Sequence, residues 1–264
     1  MGTSLRPLAV VTGASSGIGL ELAKIAAAEG FDLVIAANEP AIESAAQALR
    51  SAGVSVDAMQ VDLATRAGVD EFYHFIADKS QPVDLLMANA GCGLANGFLD
   101  QDLAQALHVV DTNVTGTISL VHRIGKDMRA RGKGRILMTG SIAGFIPGAY
   151  MAVYNASKAF LNSFSLALRE ELAETGVTVT CLMPGATETR FFERAGILDT
   201  ELGQADKDDP ADVAKAGYEA MMDNECDVVT GWKNKIQAAV ANITPSGILA
   251  DRHAKMAAPG TGKD

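Results

Sequence analysis

The chain has 264 residues, enough for one large α/β domain or two small ones, and a core of that size needs no disulfide or metal to hold it. Hydrophobic residues make up 48% and charged residues 20%, an ordinary globular balance. The formal net charge of −10, with no dense Lys/Arg stripe, repels polyanions and argues against nucleic acid as a partner.

Cys92, Cys181 and Cys226 are odd in number and far apart. His74, His108, His122 and His253 cluster neither with them nor with one another. That pattern gives neither a disulfide framework nor a metal site. No apolar run reaches the roughly 18–20 residues of a membrane span. The start of the chain, from Met1 through Arg6 into an apolar strand, has no signal region. A reducing, cytoplasmic setting is the expectation.

The first strand is predicted at 8–12. It runs into Thr12-Gly13-Ala14-Ser15-Ser16-Gly17-Ile18-Gly19 and then a helix over 18–29. Gly13, Gly17 and Gly19 let the backbone turn tightly and approach a pyrophosphate. The helix amino terminus offers free N–H groups and a positive dipole end to the anion. The spacing is G-x-x-x-G-x-G, so a purely structural turn is a competing reading. A second competitor occupies the same residues: Gly13 to Gly17 also fit G-x-S-x-G, which would make Ser15 a hydrolase nucleophile with His253 as its base. Against it, the elbow would fall on the first strand, leaving no earlier strand to carry an oxyanion loop.

Further along, strands are predicted at 32–37, 55–61, 85–88, 135–139, 177–182 and 227–229. Helices are predicted at 42–52 and 66–79. Consecutive apolar residues in several strands fit a sheet covered on both faces. Leu103, Leu107, Val110, Val114, Ile118 and Val121 then mark a long helix. Asn113 interrupts it, with Thr112, Thr115 and Gly116 around it. Asn and Gly are poor mid-helix residues, and a local distortion there would free a carbonyl to hold water. A solvated polar face is the bland alternative.

Ser141 lies just past the carboxyl end of the 135–139 strand, the edge where open parallel sheets bind ligands. A turn-capping role would serve equally for an isolated serine. A second long helix carries Val153, Phe160, Phe164, Leu168 and Leu172. On it Tyr154 and Lys158 stand four apart and share one face. A cation held beside a phenol favours the phenolate and lowers its pKa, which suits Tyr154 to proton exchange with a carbonyl or alcohol oxygen.

Residues 186–210 form a long segment with Phe191, Phe192, Ile197 and Leu198 among charges, read as a lid. Phe145, Ile146, Pro147, Tyr150 and Met151 are expected on the opposite wall, implying a largely apolar carbonyl or alcohol substrate. Trp232, Ile236, Val240 and Ile243 make a short amphipathic pattern, read as cover for the core or a subunit contact rather than a membrane-surface helix. Strict alternation from start to finish makes the fold class α/β. A single Rossmann-like domain over 1–256 is predicted, a doubly wound parallel sheet of about seven strands. The tail at 257–264, with Pro259, Gly260 and Gly262, reads as disordered.

Taken together, the motifs TGASSGIG (12–19), VDL (61–63), ANAG (88–91), Asn113, GSIAG (140–144), YNASK (154–158) and PGATET (184–189) resemble those of the short-chain dehydrogenase/reductase superfamily. The resemblance covers nearly the whole chain. It implies an NAD(P)-dependent oxidoreductase with a tetrad of Asn113, Ser141, Tyr154 and Lys158. In it Tyr154 is the acid/base, Lys158 also holds the nicotinamide ribose, Ser141 polarises the substrate oxygen and Asn113 anchors a relay water. It implies further that Gly13, Ser15, Ser16, Gly17, Ile18, Gly19 and Asn38 cradle the cofactor. Asp62 and Leu63 would line the adenine pocket, Asn89, Ala90 and Gly91 the cofactor wall. Pro184, Gly185, Thr187 and Thr189 would meet the carboxamide.

Ser141, Phe145, Tyr150, Tyr154, Phe191 and Phe192 would touch substrate. A homodimer or homotetramer through the two long helices is implied as well. Ala88 departs from the family's Asn-Asn-Ala-Gly and loses one structural amide. At the end of the second strand, Ala37 and Asn38 supply neither the acid of NAD users nor the base of NADP users, and Ser16 is uncharged. Glu39 disfavours an extra phosphate, so the residues lean to NAD. A cofactor-binding regulator with little turnover is the remaining alternative.

Overall fold

The computed structural model describes residues 6–262. The strands are β1 (Leu8–Thr12), β2 (Asp32–Ala37), β3 (Val56–Gln60), β4 (Val83–Ala88), β5 (Gly134–Thr139), β6 (Val177–Met183) and β7 (Asp227–Val229). They build one sheet in the order β3-β2-β1-β4-β5-β6-β7, parallel at every pairing. Around it lie α1 (Gly17–Ala28), α2 (Ala41–Leu49), α3 (Arg66–Ala77), α4 (Leu103–Val110), α5 (Thr117–Arg131) and α6 (Ala152–Glu171). The chain continues through α7 (Phe191–Ala195), α8 (Glu201–Gln204), α9 (Pro210–Met222), α10 (Trp232–Ile243) and α11 (Ser246–Ala257). The expected doubly wound Rossmann-like fold is the observed one, and no helix among the described residues is long and apolar enough to cross a membrane.

The unbroken apolar runs follow from helices on both faces. In β1, Ala9 and Val11 pack with Leu22, Ala26 and Met221 on one side. Leu8 and Val10 pack with Phe72, Leu120 and Ile124 on the other. Phe72, Leu22 and Leu120 are fully buried, and each such side chain contributes about 1.5–3 kcal/mol. The winding reverses between β1 and β4, which opens a crevice at the carboxyl edge of the sheet.

The boundaries shift where turns intervene. The second helix ends at Leu49, and a 3₁₀ turn, Arg50–Ala52, carries the chain to Gly53 at φ 78°. β4 starts at Val83, which pairs with Leu8 across a register shift. The long helix expected through Val110 and Val121 is split by a π-helical segment, Asp111–Gly116, at the place the poor helix formers mark.

One expectation for the carboxyl end needs correction, and a second, cover for the core or a subunit contact, loses its first half. The tail is placed as far as residue 262: Ala257 is buried, Gly260 N donates to Asp199 Oδ2 at 3.0 Å, and Gly262 N donates to the Asp199 carbonyl at 2.8 Å. Composition alone missed this partner in the lid; residues 263–264 lie outside those described. On α10, Ile236, Val240 and Ile243 are exposed and Trp232, 70% exposed, stands at the rim of the large cleft, whereas Ala238 and Ala241 are buried. The large apolar residues therefore do not cover the core.

Candidate active site

One cleft of about 1100 Å³ runs along the carboxyl edge of the sheet. Gly13 and Gly17 enter it with left-handed backbone, φ 68° and 57°. A Cβ on Gly13 would stand 3.0 Å from Asn89 and Ala90, and one on Gly17 would stand 2.8 Å from Thr189. The turn thus forms a cradle that side chains would fill, at the amino terminus of α1, and this suits a dinucleotide pyrophosphate. Ser15, Ser16, Ile18, Asn38, Asp62, Leu63, Asn89, Ala90, Gly91, Pro184, Gly185, Thr187 and Thr189 line the same cleft.

Gly19 is not on the wall. A Cβ there would lie 2.3 Å from the Gly13 carbonyl oxygen, so its absence allows the turn to close on the helix. Asn89 is fixed from both sides, donating to the Thr12 carbonyl at 3.2 Å and accepting from Thr139 Oγ1 at 3.1 Å.

The catalytic candidates converge on the opposite half of the cleft. Lys158 is buried, with Nζ donating to the Thr139 carbonyl at 2.7 Å and lying 5.9 Å from the Tyr154 ring centre. Ser141 is also buried, and its hydroxyl accepts from Ala143 N at 3.1 Å and donates to the Pro184 carbonyl at 3.3 Å. Ser141, Tyr154 and Lys158 all line the cleft. Asn113 sits in the π-helical segment behind it. Its amide accepts from Cys92 N at 2.8 Å and donates to the Cys92 carbonyl and to Ser157 Oγ, both at 2.9 Å. Ser157 in turn donates to the Tyr154 carbonyl at 2.7 Å.

Removing that amide by Asn113→Ala orphans both main-chain groups of Cys92. The expected destabilisation is about 2–4 kcal/mol in urea titrations, since each unpaired buried group costs about 1–3 kcal/mol. A change below about 0.5 kcal/mol would show that water replaces the amide there.

The electrostatics differ from the sequence expectation in one respect. Burial pushes the Tyr154 phenol up to about 12, with the Ser141 hydroxyl pulling the other way. Burial also brings Lys158 down to about 8. Desolvation dominates both groups, because it disfavours each charged form, and Nζ is committed to Thr139. The phenol is therefore a protonated donor at neutral pH, not a phenolate.

The lid is built rather than loose. Thr187 and Asp208 pair at its base, and Phe192, Ala195 and Ile197 pack with Met151 into a small core of their own. Phe191 lies against Tyr154, ring centres 4.9 Å apart. Phe191 and Phe192 line the cleft, as do Ile142, Ala143, Ile146 and Met151.

Phe145 and Tyr150 are not on that wall, contrary to expectation. Phe145 closes the 3₁₀ turn Ile142–Phe145, and of the two neighbours only Ile146 lines the cleft. Tyr150 takes a left-handed backbone, φ 64°, and does not line the cleft that its neighbour Met151 lines. Ser15 donates to Glu39 at 2.6 Å, and His253 Nδ1 meets the Ala149 carbonyl at 2.9 Å. The Ser15–His253 pairing that a hydrolase needs does not form.

Two groups escaped the sequence reading, Asn162 and the arginine pair Arg190 and Arg194, and His253 takes a place other than the one read for it. Asn162, four residues past Lys158 on α6, accepts from Ser141 N at 3.2 Å and donates to the Ser141 carbonyl at 2.9 Å. A Cβ on Gly140 would stand 2.0 Å from the Asn162 amide oxygen and one on Gly144 2.5 Å from its nitrogen. Those glycines thus admit the clamp, and a buried-side Asn at helical spacing from Lys158 was the available signal. His253 reaches the cleft from α11. Arg190 and Arg194 reach Glu39 from the lid, and no local pattern announces them.

Comparison with known proteins follows the same lines. A family described as "short chain dehydrogenase" matches residues 7–197. An uncharacterized oxidoreductase of Staphylococcus saprophyticus is 32% identical over 216 residues, covering 81% of this chain and 90% of its own. A short-chain dehydrogenase of Sphingobium yanoikuyae, solved in complex with NADPH, superposes with a TM-score of 0.80 at 27% identity, covering 91% of this chain and 97% of its own. A bulky-bulky ketone specific alcohol dehydrogenase of Comamonas testosteroni gives a TM-score of 0.76 at 26% identity, covering 95% and 99%.

Proposed function

The chain belongs to the short-chain dehydrogenase/reductase family and is an NAD(P)-dependent oxidoreductase acting between a carbonyl and an alcohol, and from that premise we propose that Tyr154 is its acid/base, served by Ser141, Lys158 and Asn113. The observation that carries this reading is convergence: Ser141, Tyr154 and Lys158 line the same cleft as the glycine turn.

A nicotinamide bound in the cleft supplies or accepts the hydride. Tyr154 handles the proton. In reduction its hydroxyl donates to the carbonyl oxygen as charge builds there, and in oxidation the phenolate takes the alcohol proton. The Ser141 hydroxyl orients the same oxygen, held in place by the Asn162 clamp. The Lys158 ammonium steadies the phenolate once its proton has left. The π-helical segment at Asn113 frees a carbonyl for a water that returns the proton.

The substrate we assign is a largely apolar ketone or secondary alcohol. Support comes from a wall of Ile142, Ile146, Met151, Phe191, Phe192 and Ile197. For the cofactor we favour NAD, because Glu39 puts a carboxylate at the end of β2, where an extra phosphate would lie. The free thiols fit a reducing cytoplasm. Exposed Leu103 and Leu107 on α4, with Phe160 and Leu166 on α6, fit a homodimer or homotetramer built on those helices.

The deciding experiment is a reduced-cofactor oxidation screen over ketones, aldehydes and diketones, run with NADH and with NADPH. Turnover of apolar ketones is the expected result. No oxidation with any carbonyl, although cofactor binds, would favour a regulator instead.

A further inference from the structure

Three separate parts of the chain meet at one edge of the cleft. Glu39 follows β2, Ser15 comes from the glycine turn, and Arg190 and Arg194 come from the lid. Arg194 donates to both Glu39 oxygens, at 2.8 and 2.7 Å. Arg190 donates to Oε2 at 3.3 Å and Ser15 to Oε1 at 2.6 Å. These four contacts use the roughly four acceptor sites of a carboxylate. Two guanidiniums against one carboxylate leave a local excess of positive charge.

The place is specific. All four residues line the cofactor cleft, and Arg190 and Arg194 are its only arginines among the described residues. Glu39 stands twenty residues past Gly19, about the separation at which a dinucleotide fold sets the group that meets the ribose 2′ position. Guanidinium is the side chain best matched to a phosphate there, through paired N–H donors.

We propose that Arg190 and Arg194 are latent 2′-phosphate ligands, and that Glu39 selects NAD by occupying them. An NADP 2′-phosphate would have to displace the carboxylate from both guanidiniums and then lie beside its charge. A 2′-hydroxyl makes no such demand. This rests on the cofactor reading above and adds to it a mechanism: selection works through a counter-ion held on the lid, not through a residue of the glycine turn.

The test is a fluorescence titration of NADH and NADPH against wild type, Glu39→Gln, and Glu39→Gln combined with Arg194→Ala. Glu39→Gln should tighten NADPH by about tenfold or more, about 1.4 kcal/mol, while NADH moves by less than about threefold. The double variant should lose the NADPH gain and keep NADH, which also reports that it folds. An NADPH affinity unmoved by Glu39→Gln, or a gain that survives Arg194→Ala, overturns the inference. Wild type that binds neither cofactor overturns the cofactor reading as well, so the two failures are distinct.

Discussion

Tyr154→Phe is expected to lower carbonyl reduction by about 10²–10⁴-fold, the range supplied by a positioned general acid, while NADH binding changes by less than about twofold. The substitution removes one hydroxyl and leaves the ring against Phe191, centres 4.9 Å apart and tilted by 47°. The phenol is protonated at neutral pH, pushed up to about 12 by desolvation. Its proton is therefore available to a carbonyl oxygen in the cleft that Tyr154 lines. Losing the hydroxyl leaves the glycine turn, Asn89 and the β2 end untouched, so the loss should fall on kcat. Steady-state kinetics and a binding titration on one preparation check both halves. Turnover within about tenfold of wild type would move the acid elsewhere.

The second large effect concerns Lys158, where fold and chemistry oppose each other. Lys158→Met should reduce turnover by about 10²-fold or more and at pH 7 raise Tm by about 2–4 °C, the equivalent of about 1 kcal/mol in a chain of this size. Lys158 is buried, and its ammonium has one hydrogen bond, to Thr139. Burial lowers its pKa from 10.5 to about 8.

Below about 8 both folded and unfolded chains hold the proton, and the folded state bears the whole cost of the buried charge. Between about 8 and 10.5 the folded chain releases the proton that the unfolded chain still holds. Stability therefore rises with pH across that window. The advantage of methionine should accordingly be present at pH 7 and shrink toward pH 10.5. The lost bond to Thr139 offsets part of the gain. Thermal melts at both pH values decide, and a lower Tm at pH 7 would contradict a costly buried charge. For the same reason wild-type turnover should decline above about pH 8, as the ammonium that steadies the phenolate disappears.

What the sequence disclosed was mainly what lies close along the chain. The glycine turn, the four-residue spacing of Tyr154 and Lys158, and the poor helix formers around Asn113 are local signals. Each corresponds to a local structure: the cradle at α1, one face of α6 and the π-helical segment. The unbroken strands were legible because helices cover both faces of the sheet.

Contacts made at long range were not legible. Glu39 and Arg194 are 155 residues apart, and the Asp199 contacts that place Gly260 and Gly262 span about sixty. Phe145 and Tyr150 were assigned by loop membership, whereas their neighbours Ile146 and Met151 are the ones that line the cleft. The phenol's pKa was argued from a charge partner, whereas desolvation, which depends on packing, sets its direction.

The most direct measurement follows a label. With an apolar ketone and a reduced cofactor deuterated on the transferred side of nicotinamide C4, wild type should place one deuterium on the carbinol carbon of the alcohol. Tyr154→Phe should bind the same cofactor and form almost none of that product. Cofactor consumption without deuterium in the alcohol, or labelled alcohol formed at the wild-type rate by Tyr154→Phe, would contradict an oxidoreductase centred on Tyr154.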